Sequence, residues 1–257
     1  MDKFDIKIFV VTHKDVDLSE LKLDSIYNKL LVGAKTSNDE NILLDSTGEN
    51  ISHKNKYYCE LTGLYWIWKN IKCGYVGLCH YRRYLKEGKS ILNKNQIKEI
   101  FEKKDVDIIL PIEYFTFSSV YDEYKEHHII SDLELCENII RNDYPDYIES
   151  YNKVMKGHST YICNMFISKK EIIDQYCLWL FDILSKVEQE IDLNQRDDYQ
   201  KRVFGFLSER LFTVWIDKNK LKVYKCKMEN TECKTINKLK GKVKKNLVKL
   251  YLKIIKK

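Results

Sequence analysis

Apolar residues along this chain come in two rhythms. "IKIFVVTHK" (6–14) is a compact β-branched run that closes on polar groups, the pattern of a buried first strand in an open α/β sheet. "KLLVGAK" (29–35) predicts a second short strand ending at a glycine, and "YVGLC" a third that runs straight into "HYRRYL". "DVDIILP" (105–111), "HSTYICNMFISKK" (158–170) and "LKVYKCKM" predict later strands. Between them the spacing lengthens to three and four residues. Asn55 stands where it can cap "KYYCELTGLYWIWKN", in which Tyr57, Leu61, Leu64, Tyr65 and Trp68 recur at helical spacing. "ILNKNQIKEIFEKK" (91–104), "EIIDQYCLWLFDILSKVEQE" and the stretch from about Lys201 to Asn219 predict further helices, and 121–155 alternates helical patterns with Tyr-rich connections. Strands alternating with helices predict an α/β fold with a mostly parallel sheet. Ligands of such sheets sit beyond the carboxyl ends of the strands, where "THK" and "HYRRY" both fall.

Composition narrows this picture. Of 257 residues 44% are hydrophobic, and with only 2 Pro and 9 Gly no linker divides the chain. The reading is one domain over 1–233 and a tail over 234–257. The tail carries ten Lys and no acid, so the net charge of +6 leaves −4 for the preceding residues. A nucleic-acid binder using the Lys-rich tail and the tyrosines is the rival from another class. Such proteins spread basic charge over the fold, whereas this fold is mildly acidic, so no nucleic acid is expected. Ile236, Leu239, Val243, Leu247, Leu250, Tyr251 and Ile254 fall on one helical face among the lysines, the form of a basic amphipathic helix that lies on an anionic membrane surface. A helix packed on the domain, or a dimer contact, is the alternative. The eight Cys form no CxxC pair, which points to reduced thiols in a cytosolic protein. With no signal-peptide pattern and no long apolar run, the expected location is cytoplasmic, peripheral to the inner face of the cell membrane.

Several catalytic classes lack their motifs. There is no GxSxG, GxGxxG or P-loop. Asp15–Asp17 and Asp105–Asp107 match the Asp-x-Asp pattern of metal-dependent sugar transferases. The second pair precedes its strand and the first lies in a loop, so solvation is the preferred reading. His127 and His128 are adjacent and point apart in regular structure. "HYRRY" remains. If the strand persists, His80, Arg82 and Tyr84 share one face and Tyr81 and Arg83 the other. Either an arginine clamps a ligand or the group forms a buried network with carboxylates. The planar guanidinium suits diphosphate oxygens.

"NISHKNKYYCELTGLYWIWKN", "VGLCHYRRYL", "CNMFISKKEIIDQYCLWLFDIL" and "RVFGFLSERLFTVW", in this order, resemble the capsular-polysaccharide glycosyltransferase family first catalogued as uncharacterised domain 4422, over roughly residues 5 to 218. The resemblance implies a GT-A-like (Rossmann-like) domain that transfers a hexose, such as galactofuranose, galactose or glucose, from a UDP-sugar. The reading adds a lipid-linked oligosaccharide as the expected acceptor. The family's motif positions here are Asn50, Ser52, Asn55, Glu60, His80, Tyr81, Arg82, Arg83, Asn164, Arg202, Gly205, Glu209 and Arg210. Thr12, His13 and Lys14 stand where such proteins meet the nucleotide base, Gly33 where a backbone could approach uridine, and Asn164 at a strand position that meets a sugar hydroxyl. No metal ligand is assigned, because "HYRRY" takes the place of Asp-x-Asp, and a role for Mn²⁺ or Mg²⁺ stays open. Glu209 is either the base that deprotonates the acceptor, with inversion, or the partner of Arg210 or Arg202 in a helix salt bridge. Asp197 and Asp198 are the reserve candidates for the base.

Overall fold

The computed structural model describes residues 4–232. Its first strand, β1 (Ile6–Thr12), shows why the run is apolar throughout. Ile6, Ile8 and Val10 enter one core, Phe9 and Val11 the other, and only Lys7 is exposed. A strand covered on both faces has no solvent side to keep polar. The other strands are β2 (Tyr27–Leu31), β3 (Leu43–Leu44), β4 (Tyr75–His80), β5 (Arg83–Glu87), β6 (Ser90–Ile91), β7 (Ile108–Pro111), β8 (Tyr114–Phe115), β9 (Ser159–Thr160), β10 (Phe166–Lys169) and β11 (Val223–Asn230). Nine of these form one sheet in the order β3-β2-β1-β4-β10-β7-β11-β5-β6, and β8 pairs with β9 apart from it.

The sheet is mixed, not mostly parallel. Four of its pairings are parallel (β1 with β2 and β4, β2 with β3, β7 with β11) and five antiparallel. The reason is that β10 runs against both β4 and β7, and β5 against β4, β11 and β6. A doubly covered strand reads as the same apolar run in either direction, so periodicity carried no sign of the reversal.

Among the described residues eight α-helices cover the sheet: α1 (Asn55–Tyr58), α2 (Leu61–Asn70), α3 (Lys94–Lys104), α4 (Val120–His127), α5 (Ile130–Asp143), α6 (Ile148–Lys156), α7 (Lys170–Glu190) and α8 (Val203–Lys218). In α7, Ile173, Tyr176, Cys177, Leu180, Ile183, Leu184 and Val187 are buried at helical spacing in the larger core, together with most of α8. Truncating one of these to Ala costs about 2–5 kcal/mol. On the other face α3 lays Ile97, Ile100 and Phe101 against Ile6, Ile8 and Ile109. It starts at Lys94, three residues later than its periodicity suggests, because Asn93 and Gln96 close a reciprocal capping box.

Three departures from the expected elements converge on one place. The helix predicted after Asn55 breaks at Cys59 (φ 52°, ψ −130°), separating α1 from α2. Asn55 is not its N-cap; its Nδ2 donates forward to Cys59 O at 2.8 Å and Thr62 Oγ1 at 3.0 Å. The strand predicted over 158–170 breaks at Cys163 and Asn164, both left-handed (φ 69° and 47°). Asn164 therefore lies in a turn, not in a strand. The third departure is "HYRRY" itself, which does not continue as a strand. Tyr81 and Arg82 form a turn between β4 and β5, and His80 pairs with Arg83 across it. Tyr84 is consequently buried, with its hydroxyl donating to Tyr81 O at 3.0 Å. The tail and its expected amphipathic helix lie outside the described residues.

Candidate active site

The carboxyl ends of β1 and β4, the α1–α2 break, the 163–164 turn and the start of α8 enclose a cavity of about 610 Å³. It lies within the ~300–1,000 Å³ typical of small-molecule sites. Thr12, His13, Asn55, Glu60, His80, Tyr81, Arg82, Arg83 and Glu209 all line it, so nine of the fourteen residues singled out as catalytic or donor-binding come together. Lys14 is next to it, with Nζ 5.3 Å from the Tyr81 ring centroid. Gly33 stands behind the wall. Its φ is 73° and a Cβ there would meet Asn55 Oδ1 at 2.7 Å. Gly33 N donates to Asp45 Oδ1, which also accepts from Ser52 Oγ, tying this wall to the loop before α1.

Asn164 does not line the cavity. It is buried, with Nδ2 donating to Glu60 Oε1 at 2.8 Å and to Ser208 Oγ at 2.9 Å, which fixes Glu60 from behind. Asp197 and Asp198 also lie apart from it: Asp197 accepts from Gln200 N, and the Asp198 side chain is 88% exposed beside Lys56. Cys59, Cys163 and Lys56 line the cavity without having been singled out. Apolar surroundings in the sequence concealed the two cysteines, since nothing there signals a left-handed residue within an apolar run.

The cavity is electrically lopsided. Arg82, Arg83, Arg202 and Lys56 face two carboxylates, Glu60 and Glu209. Arg82 is taken up by Glu232 at 2.9 Å on the surface. Arg202 Nε reaches Cys59 Sγ at 3.3 Å, and Arg83 forms no ion pair among the described residues. Burial, with Lys14, Arg82 and Arg202 nearby, lowers the His13 pKa. Burial likewise lowers that of His80, whose Nε2 is 2.7 Å from Cys163 O.

Glu209 occupies the opposite wall. Its Oε1 accepts from Cys163 N and its Oε2 pairs with Arg210 at 3.1 Å, while Arg210 also holds Glu123 at 2.6 Å. Burial raises its pKa to about 7 despite Arg210 and the Cys163 N–H, and the neighbouring Glu60 and Glu123 add to the rise. The salt bridge and the place in the cavity thus coexist. His80, Cys163 and Glu209 form one hydrogen-bonded chain across the site.

Neither Asp-x-Asp pair reaches the cavity. Asp17 accepts from Ser19 N, while Asp105 and Asp107 bind Lys222. Among the described residues no three His, Cys, Asp or Glu converge in a way that could hold a cation.

The family model described as a domain of unknown function, DUF4422, matches residues 7–220. The chain belongs to this family. A solved structure titled as the apo form of WbbM, a bifunctional glycosyltransferase, is similar over 89% of this chain, with 30% sequence identity and a TM-score of 0.78. The chain spans 45% of that protein's length. No curated protein matches. No helix among the described residues is long and apolar enough to cross a membrane.

Proposed function

We propose that this chain is a glycosyltransferase that moves a hexose from a UDP-sugar to a glycan hydroxyl with inversion. The observation that carries the reading is one cavity holding a bank of cations and, across from it, a carboxylate whose pKa lies near neutrality. The likeness to a bifunctional glycosyltransferase supports the same class. The diphosphate lies against Arg83 and Arg202, whose guanidiniums bind its oxygens and balance charge as it leaves. Glu209 takes the proton of the acceptor hydroxyl. The acceptor oxygen bonds to the anomeric carbon as the bond from that carbon to the phosphate oxygen breaks. The electron pair departs with UDP, and Glu209 then returns its proton to solvent. His80 and Cys163 hold Glu209 in register.

We further propose that galactofuranose, galactose or glucose is transferred in surface-polysaccharide synthesis. The acceptor is lipid-linked, and the Lys-rich segment 234–257 brings the domain to an anionic membrane surface. The test is a panel of UDP-hexoses scored for UDP release stimulated by simple glycosides. The expected result is one preferred donor whose turnover survives EDTA. Binding of UDP-sugars with no release under any condition would instead favour a non-catalytic sugar-nucleotide-binding protein.

A further inference from the structure

A second, smaller cavity of about 240 Å³ lies on the other side of Glu209. It shares Glu209 and Cys163 with the larger one, so the same carboxylate borders both. Its character differs. One side is a stack of three rings: His128 and Phe206 have centroids 4.0 Å apart at 25°, and Tyr199 lies 5.7 Å from His128 at 16° and 5.0 Å from Phe206. Tyr199 is 50% exposed, among the few large apolar side chains left to solvent. Burial, with Arg210 and His127 nearby, lowers the His128 pKa to about 4, so at neutral pH the stack carries no charge. The facing side is polar, with Thr160 and the Glu123–Arg210 pair.

An aromatic face opposite hydrogen-bonding groups matches a sugar ring, which has C–H bonds on its faces and hydroxyls around its rim. The volume is too small for a nucleotide sugar but leaves room for one ring. Given the reading of Glu209 as base and of the larger cavity as the donor site, we infer that the smaller cavity seats the terminal hexose of the acceptor. In this arrangement a ring face stacks on Tyr199 and one hydroxyl is directed at Glu209.

The experiment is saturation-transfer NMR on the full chain with methyl β-galactopyranoside, methyl β-glucopyranoside and methyl α-mannopyranoside as probes, beside a UDP titration. At least one glycoside should receive saturation at its ring C–H protons. Tyr199→Ala should lose that signal, Tyr199→Phe should keep it, and both should retain UDP affinity. Tyr199 is half exposed, so its truncation leaves the core intact, and a melting curve checks this. Binding of none of the three, equal binding by Tyr199→Ala, or equal loss in Tyr199→Phe would overturn the inference. Failure of wild-type protein to bind UDP would instead count against the donor reading, and the glycoside result is read independently of it.

Discussion

At the scale of single residues, Glu209 decides the chemistry. A base must be ionised to act, and burial holds this carboxyl near pH 7. The rate with saturating donor should therefore rise about tenfold per pH unit below that point and level off above it. Burial lowers the pKa of His13 and of His80, so a limb set by either would lie below one set by Glu209. Glu209→Gln should cut turnover severely and abolish the limb, while UDP binding persists. A variant with unchanged turnover would remove Glu209 from the mechanism. The residue was legible in the sequence only through "GFLSERL" and its family resemblance. Its anchor, Cys163, was not. Cys163 reads as one more apolar position in "STYICNMF", and only the left-handed turn aims its N–H at Glu209 and its carbonyl at His80.

At the scale of elements, the site is built where regular structure fails. The α1–α2 break places Cys59 and Glu60 in the cavity, and the β4–β5 turn presents Tyr81 and Arg82. Left-handed non-glycine residues cost on the order of 1–3 kcal/mol each, and they persist where the surroundings fix them. Gly33 is the complementary case: its positive φ and its contact with Asn55 leave no space for a side chain. Gly33→Ala should lower stability in urea denaturation by about 1–3 kcal/mol, and should weaken UDP binding by displacing Asn55. Stability equal to wild type would mean that the wall yields. Helical periodicity correctly gave α2, α3, α7 and α8. It could not give the breaks, because Cys59, Cys163 and Asn164 carry no glycine or proline signal at those points.

At the scale of the whole molecule, charge is divided between a mildly acidic fold and a strongly basic tail. Lysines near an anionic surface contribute about 1 kcal/mol each, so a chain ending at Cys233 should lose binding to anionic liposomes yet still bind UDP. Truncated protein that binds those liposomes as well as the full chain would refute the anchor. Sheet order lay beyond the sequence because strand pairing is non-local, and β10 enters between β4 and β7 after more than fifty intervening residues of chain following β7. The carboxyl edge of β1 and β4 was nevertheless legible, since both runs end in polar groups with no solvent face before them.

Calorimetric titration with UDP shows whether the arginine-lined cavity takes a nucleoside diphosphate. Wild-type protein should bind UDP at one site per chain. Loss of a charge-assisted bond costs about 1.5–3 kcal/mol, so Arg83→Ala should weaken UDP affinity roughly ten- to a hundredfold. Arg82→Ala should matter less, because that side chain is already paired with Glu232. Absence of UDP binding by the wild type, or wild-type affinity in Arg83→Ala, would contradict the account.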